Sequence, residues 1–427
     1  MRCLHLLFGC ASLWLLAGCA VKPLLMPAPA VFKDERLNFA ARLPAELRST
    51  HLPVFYATTR APARNGEPGH YVNRAGKEMR LGAAHVRLGE SGWTWDDLVA
   101  SNRTDSVTRP RPGAVEGVAE YRGSGEAERR FLADIDAHLA RTRNKELVLY
   151  VHGYRVTFDE VAVQMASFAH YLGHGAVVTF QWPTGLNFWN YVTDCPRAQR
   201  YIPDIERLIA LLARSSAEKL NVIAYSCGSP LLAAALARLR ARNPDEGHAD
   251  LLKRYRLGNV IFVASDVDLK TFAREYVPPS LDLAEQLIVY ISRNDRALGV
   301  SSLIAGASRL GKPDIADLTP RELERLAADP RLQVVDVSDV RGAHEMGGMK
   351  GHGYWYANDW ISTDVTLSLR HPFAPAQRCL VNRPGTRRIW QIPDDYVRCV
   401  ADRLLAAVPE LRRRGDEGTT RNGGAGE

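Results

Sequence analysis

Six short, mostly apolar runs recur through the middle of the chain, at 147–151, 176–182, 220–225, 259–264, 286–292 and 332–337. Each has strand length and lacks the in–out alternation of a half-exposed strand, so the pattern predicts strands of a parallel sheet buried on both faces. Helical periods lie between the first of them. Val161, Met165, Phe168 and Leu172 return at helical spacing, Thr157 and Glu160 are placed as a capping box, and Gly173 supplies a stop. Ile205, Leu208, Ile209 and Leu212 mark a second apolar face, and the Ala/Leu-rich stretch 230–242 a third helix. Strand alternating with helix predicts a doubly wound α/β domain, a mostly parallel sheet with helices on both faces.

Outside this alternation the signal is weaker. Runs at 52–57 and 79–88, separated by a Gly/Asn/Pro-rich loop, predict an antiparallel entry to a mixed sheet. Residues 89–125 form a polar, Gly/Pro-containing insertion with loop-like composition, a candidate lid, and 129–141 resumes a helix. A helix is expected beyond Thr363, no clear period over 373–392, a helix again over 394–405, and a disordered Gly/Arg/Glu-rich tail over 412–427. The expected division is therefore 1–18 as an export signal, 19–50 as a tether, 51–375 as the α/β domain, and 376–427 as a C-terminal extension.

Composition narrows the class only a little. The 427 residues are 46% hydrophobic and 24% charged, which supports a sizeable core and excludes wholesale disorder. The net charge of +7 comes partly from Arg412, Arg413 and Arg414. No basic stripe is interleaved with aromatics, so no nucleic-acid partner is expected, and the charge serves solubility with a minor bias toward anionic membranes.

The N-terminus carries more information. Arg2 precedes an apolar stretch over 4–16, about the length of a signal-peptide core and too short to span a bilayer, and it ends in Leu16-Ala17-Gly18-Cys19. This ending resembles the lipobox of bacterial lipoproteins. It implies a lipidated Cys19 as the mature N-terminus; a plain signal peptide cleaved near Ala20 is the alternative. Ala20 is not the aspartate that marks inner-membrane retention, so the resemblance implies the periplasmic face of the outer membrane, with the Pro-rich stretch 21–30 as the tether. In that oxidising compartment Cys195, Cys227, Cys379 and Cys399 can pair, and Cys379 with Cys399 is the expected bridge, although four cysteines allow three connectivities. No Cys/His spacing resembles a zinc site, and no cofactor is expected.

Chemistry concentrates at the turn after 220–225. There Ala224-Tyr225-Ser226-Cys227-Gly228 joins a buried strand to a helix, with small residues two positions on each side of the serine. A nucleophile elbow needs this arrangement, because the serine's strained turn tolerates only small neighbours. A serine needs a histidine to take its proton and a carboxylate to orient that histidine. Asp295 follows the run 286–292 and His352 lies in a Gly-rich loop after 332–337, which is the order Ser, Asp, His. Asp266, after the run 259–264, is an alternative acid, and His344 shares the loop with His352. Upstream, Val151-His152-Gly153-Tyr154 follows the first parallel run. Such a loop turns backbone toward the nucleophile, and the backbone N–H groups of Tyr154 and Cys227 are the expected oxyanion donors. His152 reads as structural. Trp182, Phe188, Trp189 and Tyr191, and then Tyr354, Trp355, Tyr356 and Trp360, either border an apolar acyl pocket or belong to the core.

Taken in order, Val54-Phe-Tyr-Ala-Thr-Thr-Arg60, Val151-His-Gly-Tyr154 with Phe158, Trp182-Pro183 with Gly185, Tyr191 and Asp194, the Ser226 elbow, Ser292-Arg-Asn-Asp-Arg-Ala-Leu298 and Gly351-His352-Gly-Tyr354 resemble a bacterial family of α/β-hydrolases of unknown function. The resemblance covers roughly residues 52–365 and implies the α/β-hydrolase fold with Ser226, Asp295 and His352 as a triad. The family usually reads Ala-His-Ser-Met-Gly at the elbow where this chain has Ala-Tyr-Ser-Cys-Gly, so Tyr225 and Cys227, expected to help line the site, separate its substrate from that of relatives. The expected function is a membrane-anchored serine hydrolase acting on a small-molecule or lipid ester, with amide or thioester cleavage open to the same machinery. The alternative is a non-catalytic envelope lipoprotein that keeps the fold.

Overall fold

The computed structural model describes residues 23–104, 110–343, 351–370, 373–386 and 388–413. The six central runs form β4 (Glu146–Val151), β5 (Ala176–Gln181), β6 (Lys219–Tyr225), β7 (Leu257–Val263), β8 (Ala284–Ile291) and β9 (Leu332–Asp336). Ahead of them come β1 (His51–Pro62), β2 (Tyr71–Leu88) and β3 (Gly113–Tyr121), and after them β10 (Val381–Asn382) and β11 (Ile389–Gln391). Among the described residues these make one sheet of order β10-β11-β9-β8-β7-β6-β4-β5-β1-β2-β3. Pairs from β1–β5 through β9–β11 are parallel; β2, β3 and β10 are antiparallel to their neighbours.

The absence of alternation in the central runs has the expected cause. Leu147, Leu149 and Val151 of β4 enter one apolar layer while Val148 and Tyr150 enter the other, and every one is buried. On the first face lie α2 (Glu126–Arg141), α5 (Ile202–Leu212) and α6 (Ser229–Ala241); on the second lie α3 (Phe158–Tyr171) and the helices Asp359–Arg370 and Tyr396–Ala407. The Thr157 capping box on α3 forms, its hydroxyl accepting from the Glu160 N–H while the Glu160 carboxylate accepts from the Thr157 N–H. A cap of this kind contributes about 1 kcal/mol.

Three sequence expectations are corrected. The insertion is not a loop: it holds α1 (Trp95–Ser101) and the edge strand β3, which extends the sheet beyond β2. Trp95 packs edge-on against His170 and His174 at the carboxyl end of α3, at the end of the sheet away from the strands' carboxyl tips, so α1 does not cover those tips. The short, Gly-containing sequence of β3 is only half-buried and carries little apolar periodicity. Nor are residues 23–30 a free tether. Leu25, Met26, Ala28 and Ala30 are buried, the Leu25 N–H donates to the Arg111 carbonyl (2.8 Å), and the Gly113 N–H donates to the Pro23 carbonyl (2.9 Å). Finally, the C-terminal extension is built into the domain as far as residue 413. β11 lies beside β9, Cys379 and Cys399 are joined as expected, and Arg378 pairs with Asp364 at 2.8 Å where both are buried. Arg412 and Arg413, expected to begin the disordered tail, are instead docked, the Arg413 N–H donating to the Arg36 carbonyl at 2.9 Å; the rest of that tail, 414–427, lies outside the described residues, as does the lipobox.

Candidate active site

β6 ends at Tyr225, and Ser226 turns with φ of 52°, a left-handed conformation that costs a non-glycine residue about 1–3 kcal/mol. A 3₁₀ turn over Ser226–Gly228 leads into α6. Two glycines permit the crowding around this elbow. A Cβ on Gly228 would lie 2.4 Å from the His152 carbonyl oxygen, and one on Gly153 would lie 2.9 Å from the Tyr225 ring and 3.0 Å from Ser226 Cβ. The loop after β4 is therefore pressed against the serine.

Three side chains distant in sequence meet at the carboxyl tips of the strands. His352 Nε2 is 2.7 Å from Ser226 Oγ, and its Nδ1 is 2.8 Å from Asp295 Oδ2. With the proton on Nδ1 donated to the carboxylate, Nε2 is free to accept from the serine hydroxyl. Asp295 N-caps the helix Arg296–Ala305, its Oδ1 accepting from the Leu298 N–H at 2.9 Å, so the carboxylate is held from both sides. Asp295 is fully buried, Ser226 is 5% exposed and the His352 side chain 14%. Burial opposes the imidazolium, but the charge and hydrogen bond of Asp295, with a smaller contribution from Asp266, outweigh it and hold His352 above the ordinary histidine value.

Asp266 makes no such contact among the described residues. Its carboxylate accepts from the hydroxyls of Tyr191 and Ser301, and Arg309 Nε stands 3.4 Å away. His344 lies outside the described residues. Tyr191 begins α4 (Tyr191–Ala198), and the sequence motif around it acquires a reason: Asp194 accepts from the Gly185 N–H at 2.7 Å, which folds the stretch 182–194 over the site.

The cysteine beside the nucleophile differs from its expected role. The structure joins Cys227 to Cys195 on α4, with Cα atoms 5.9 Å apart, a second pairing beyond Cys379–Cys399. The Cys227 side chain is buried and points to that partner rather than lining the site. Tyr225 does line it, its ring centroid 5.2 Å from that of His352.

Ser226 and His352 open into a cavity of about 500 Å³ whose apolar wall includes Val156, Leu186, Tyr225, Val300 and Tyr356, with Arg155, Glu160 and Asp266 on its polar side. The two aromatic clusters divide accordingly. Tyr191 and Tyr356 face the cavity; Trp182 and Trp355 are core; Tyr354 is buried, its hydroxyl bridging the Ala264 N–H and the Tyr290 carbonyl. Trp360 packs on Tyr396, and Trp189 is 78% exposed. Among the described residues no cluster of three or more His, Cys, Asp or Glu side chains is arranged to hold a metal ion, and no helix is long and apolar enough to cross a membrane.

The family to which the sequence matches agrees with this architecture. Residues 127–367, more than half of the chain, match a family described as alpha/beta hydrolase of unknown function (DUF900). No curated protein matches. Among solved structures, a lipase-esterase related protein from Clostridium acetobutylicum ATCC 824 aligns at 11% identity over 53% of this chain and 94% of that one, with a TM-score of 0.29. The matched segment carries the whole span from α2 to the helix after His352, and on that match the chain belongs to the alpha/beta hydrolase family of unknown function, DUF900.

Proposed function

We propose that the protein is a serine hydrolase that cleaves a carboxylic ester with an apolar acyl part through an acyl-enzyme. The observation that carries this reading is the hydrogen-bonded file Asp295–His352–Ser226 at the foot of a mostly apolar cavity. In the reaction, His352 Nε2 takes the proton of Ser226 Oγ as the oxygen attacks the ester carbonyl. The oxyanion accepts from the N–H groups of Tyr154 and Cys227, donors that count because they are fixed before charge develops. His352 then passes its proton to the leaving alkoxide, the alcohol departs, and a water activated by the same imidazole releases the acid. Asp295 orients the ring and stabilises the imidazolium. Leu186, Val156, Val300 and Tyr356 would receive the acyl chain.

The test is Ser226→Ala. It should abolish labelling by a fluorophosphonate probe and p-nitrophenyl ester hydrolysis in a protein that still folds; undiminished hydrolysis would sink the assignment. We further propose that Cys19 carries a lipid that holds the enzyme at the cell envelope. Incorporation of labelled palmitate that is lost in Cys19→Ser is the expected result.

A further inference from the structure

Arg60, at the carboxyl end of β1, is fully buried and, among the described residues, has no carboxylate within ion-pair distance. An unpaired buried charge is costly, by several kcal/mol even after relaxation, so its retention calls for a reason. The guanidinium reaches across the tip of β5 to the loop that follows β4. It donates to the Val156 carbonyl at 2.9 Å and to the Asn73 side chain, and one terminal nitrogen lies 3.4 Å from His152 Nε2. Burial pushes the guanidinium down to about 9 against the more distant negative charges of Glu160 and Asp159, which leaves it charged at neutral pH.

Arginine only donates, so in this 3.4 Å contact His152 Nε2 is the acceptor, and the ring proton is then placed on Nδ1. Burial and the neighbouring Arg60 charge both hold His152 well below the ordinary histidine value, which keeps the ring neutral. Nδ1–H then donates to the Gly153 carbonyl at 2.6 Å, while the Trp182 indole, stacked on the ring at 5.3 Å, donates to the His152 carbonyl at 2.9 Å. The Gly153 carbonyl and the Tyr154 N–H are the two ends of one peptide unit. Fixing the first fixes the direction of the second.

We infer that Arg60 is a positioning residue for ester hydrolysis: through His152 it sets the orientation of the Gly153–Tyr154 peptide, and so of the Tyr154 N–H offered to the oxyanion. The inference rests on the serine-hydrolase reading above, and it gives the Arg60 motif residue a role that packing alone does not.

The experiment is a double-mutant cycle on the full chain with Arg60→Met, His152→Ala and both together, read by p-nitrophenyl ester kinetics and by inhibition with a trifluoromethyl ketone that forms a hemiketal oxyanion. Each single variant should lower kcat about 10- to 100-fold with KM within about twofold. The double variant should be no slower than the worse single one, because the two residues act in series. Affinity for the ketone should fall by the same factor as kcat/KM. An unchanged kcat in a folded Arg60→Met, a loss confined to KM, or losses that multiply in the double variant each overturn the inference. If Arg60→Met does not fold, Arg60→Lys decides: it keeps the charge but offers a point donor in place of a fork, so kcat should fall about tenfold, and full activity overturns the inference. Activity that survives Ser226→Ala instead removes the hydrolase reading itself, so the two failures are distinguishable.

Discussion

The hydroxyl of Tyr191 donates to the carboxylate of Asp266, so the acid that follows β7 is engaged by the cavity wall and not by the imidazole of His352. Substituting the two candidate acids should therefore separate them. Asp295→Asn removes the acceptor for His352 Nδ1–H and should lower kcat by roughly 10⁴-fold, because the ring loses its tautomer. Asp266→Asn keeps a partner for Tyr191 and Ser301 and should cost less than about tenfold. Ester hydrolysis by the two purified variants checks both.

The raised value of His352 fixes the direction of a pH profile. The base must be neutral, so kcat/KM should climb with pH through an inflection above the ordinary histidine value of about 6.5. Removing Asp295 leaves burial, which acts in the opposite sense, so the residual activity of Asp295→Asn should titrate lower. The same shift means that the folded protein binds this proton more tightly than the unfolded chain. Its stabilising contribution is complete below about 6.5 and is lost as pH rises through the folded value. A profile of Asp295→Asn that did not move would contradict the stated cause.

Gly228 and Gly153 should be intolerant for different reasons. A methyl on Gly228 meets backbone carbonyls of His152 and Val151 at 2.4 and 2.7 Å, which have nowhere to go. Gly228→Ala should lose about 1–3 kcal/mol of stability together with activity. In Gly153→Ala the methyl meets Ser226 Cβ and the Tyr225 ring, so the fold should persist while kcat falls at least about tenfold through displacement of the nucleophile. Thermal melts beside kinetics distinguish the two outcomes.

The Cys379–Cys399 bridge spans 20 residues and ties the helix Tyr396–Ala407 to the rest of the extension, far along the sheet from Ser226. Replacing both cysteines by alanine should cost about 2–4 kcal/mol of unfolding free energy without altering kcat on a soluble ester. Denaturant titration and an initial-rate assay provide the check.

Much of this was legible in the sequence because the physics was local. Unbroken apolar runs of strand length such as 147–151 point to burial on both faces of a sheet, and the elbow's small–Ser–small pattern records a backbone constraint that any reader of sequence can see. Thr157 and Glu160 announce their own cap. What stayed hidden depended on partners far along the chain. β3 is a strand because β2 offers it an edge, and Leu25, Met26, Ala28 and Val31 are buried because β3 and α3 leave an apolar surface for them. The bond from Cys195 to Cys227 could not be read from spacing, since four cysteines allow several pairings. Arg60 stood in plain view as the last residue of a motif, but its contact with His152 spans 92 residues of sequence and no periodicity reports it.

The docking of Pro23 against Gly113 has a geometric consequence for how such an enzyme would stand on a membrane. Gly113 pairs with Leu88, whose N–H donates to Thr50 just before β1, at the amino edge of the parallel strands, whereas Ser226 lies beyond their carboxyl edge. Only residues 20–22 lie between Cys19 and Pro23, a reach of at most about 14 Å. A lipid on Cys19 would thus seat the molecule on its amino edge, with the mouth of the cavity turned outward from the bilayer that holds it. An enzyme mounted in that posture would take esters arriving from the aqueous side and would not graze on the leaflet beneath it.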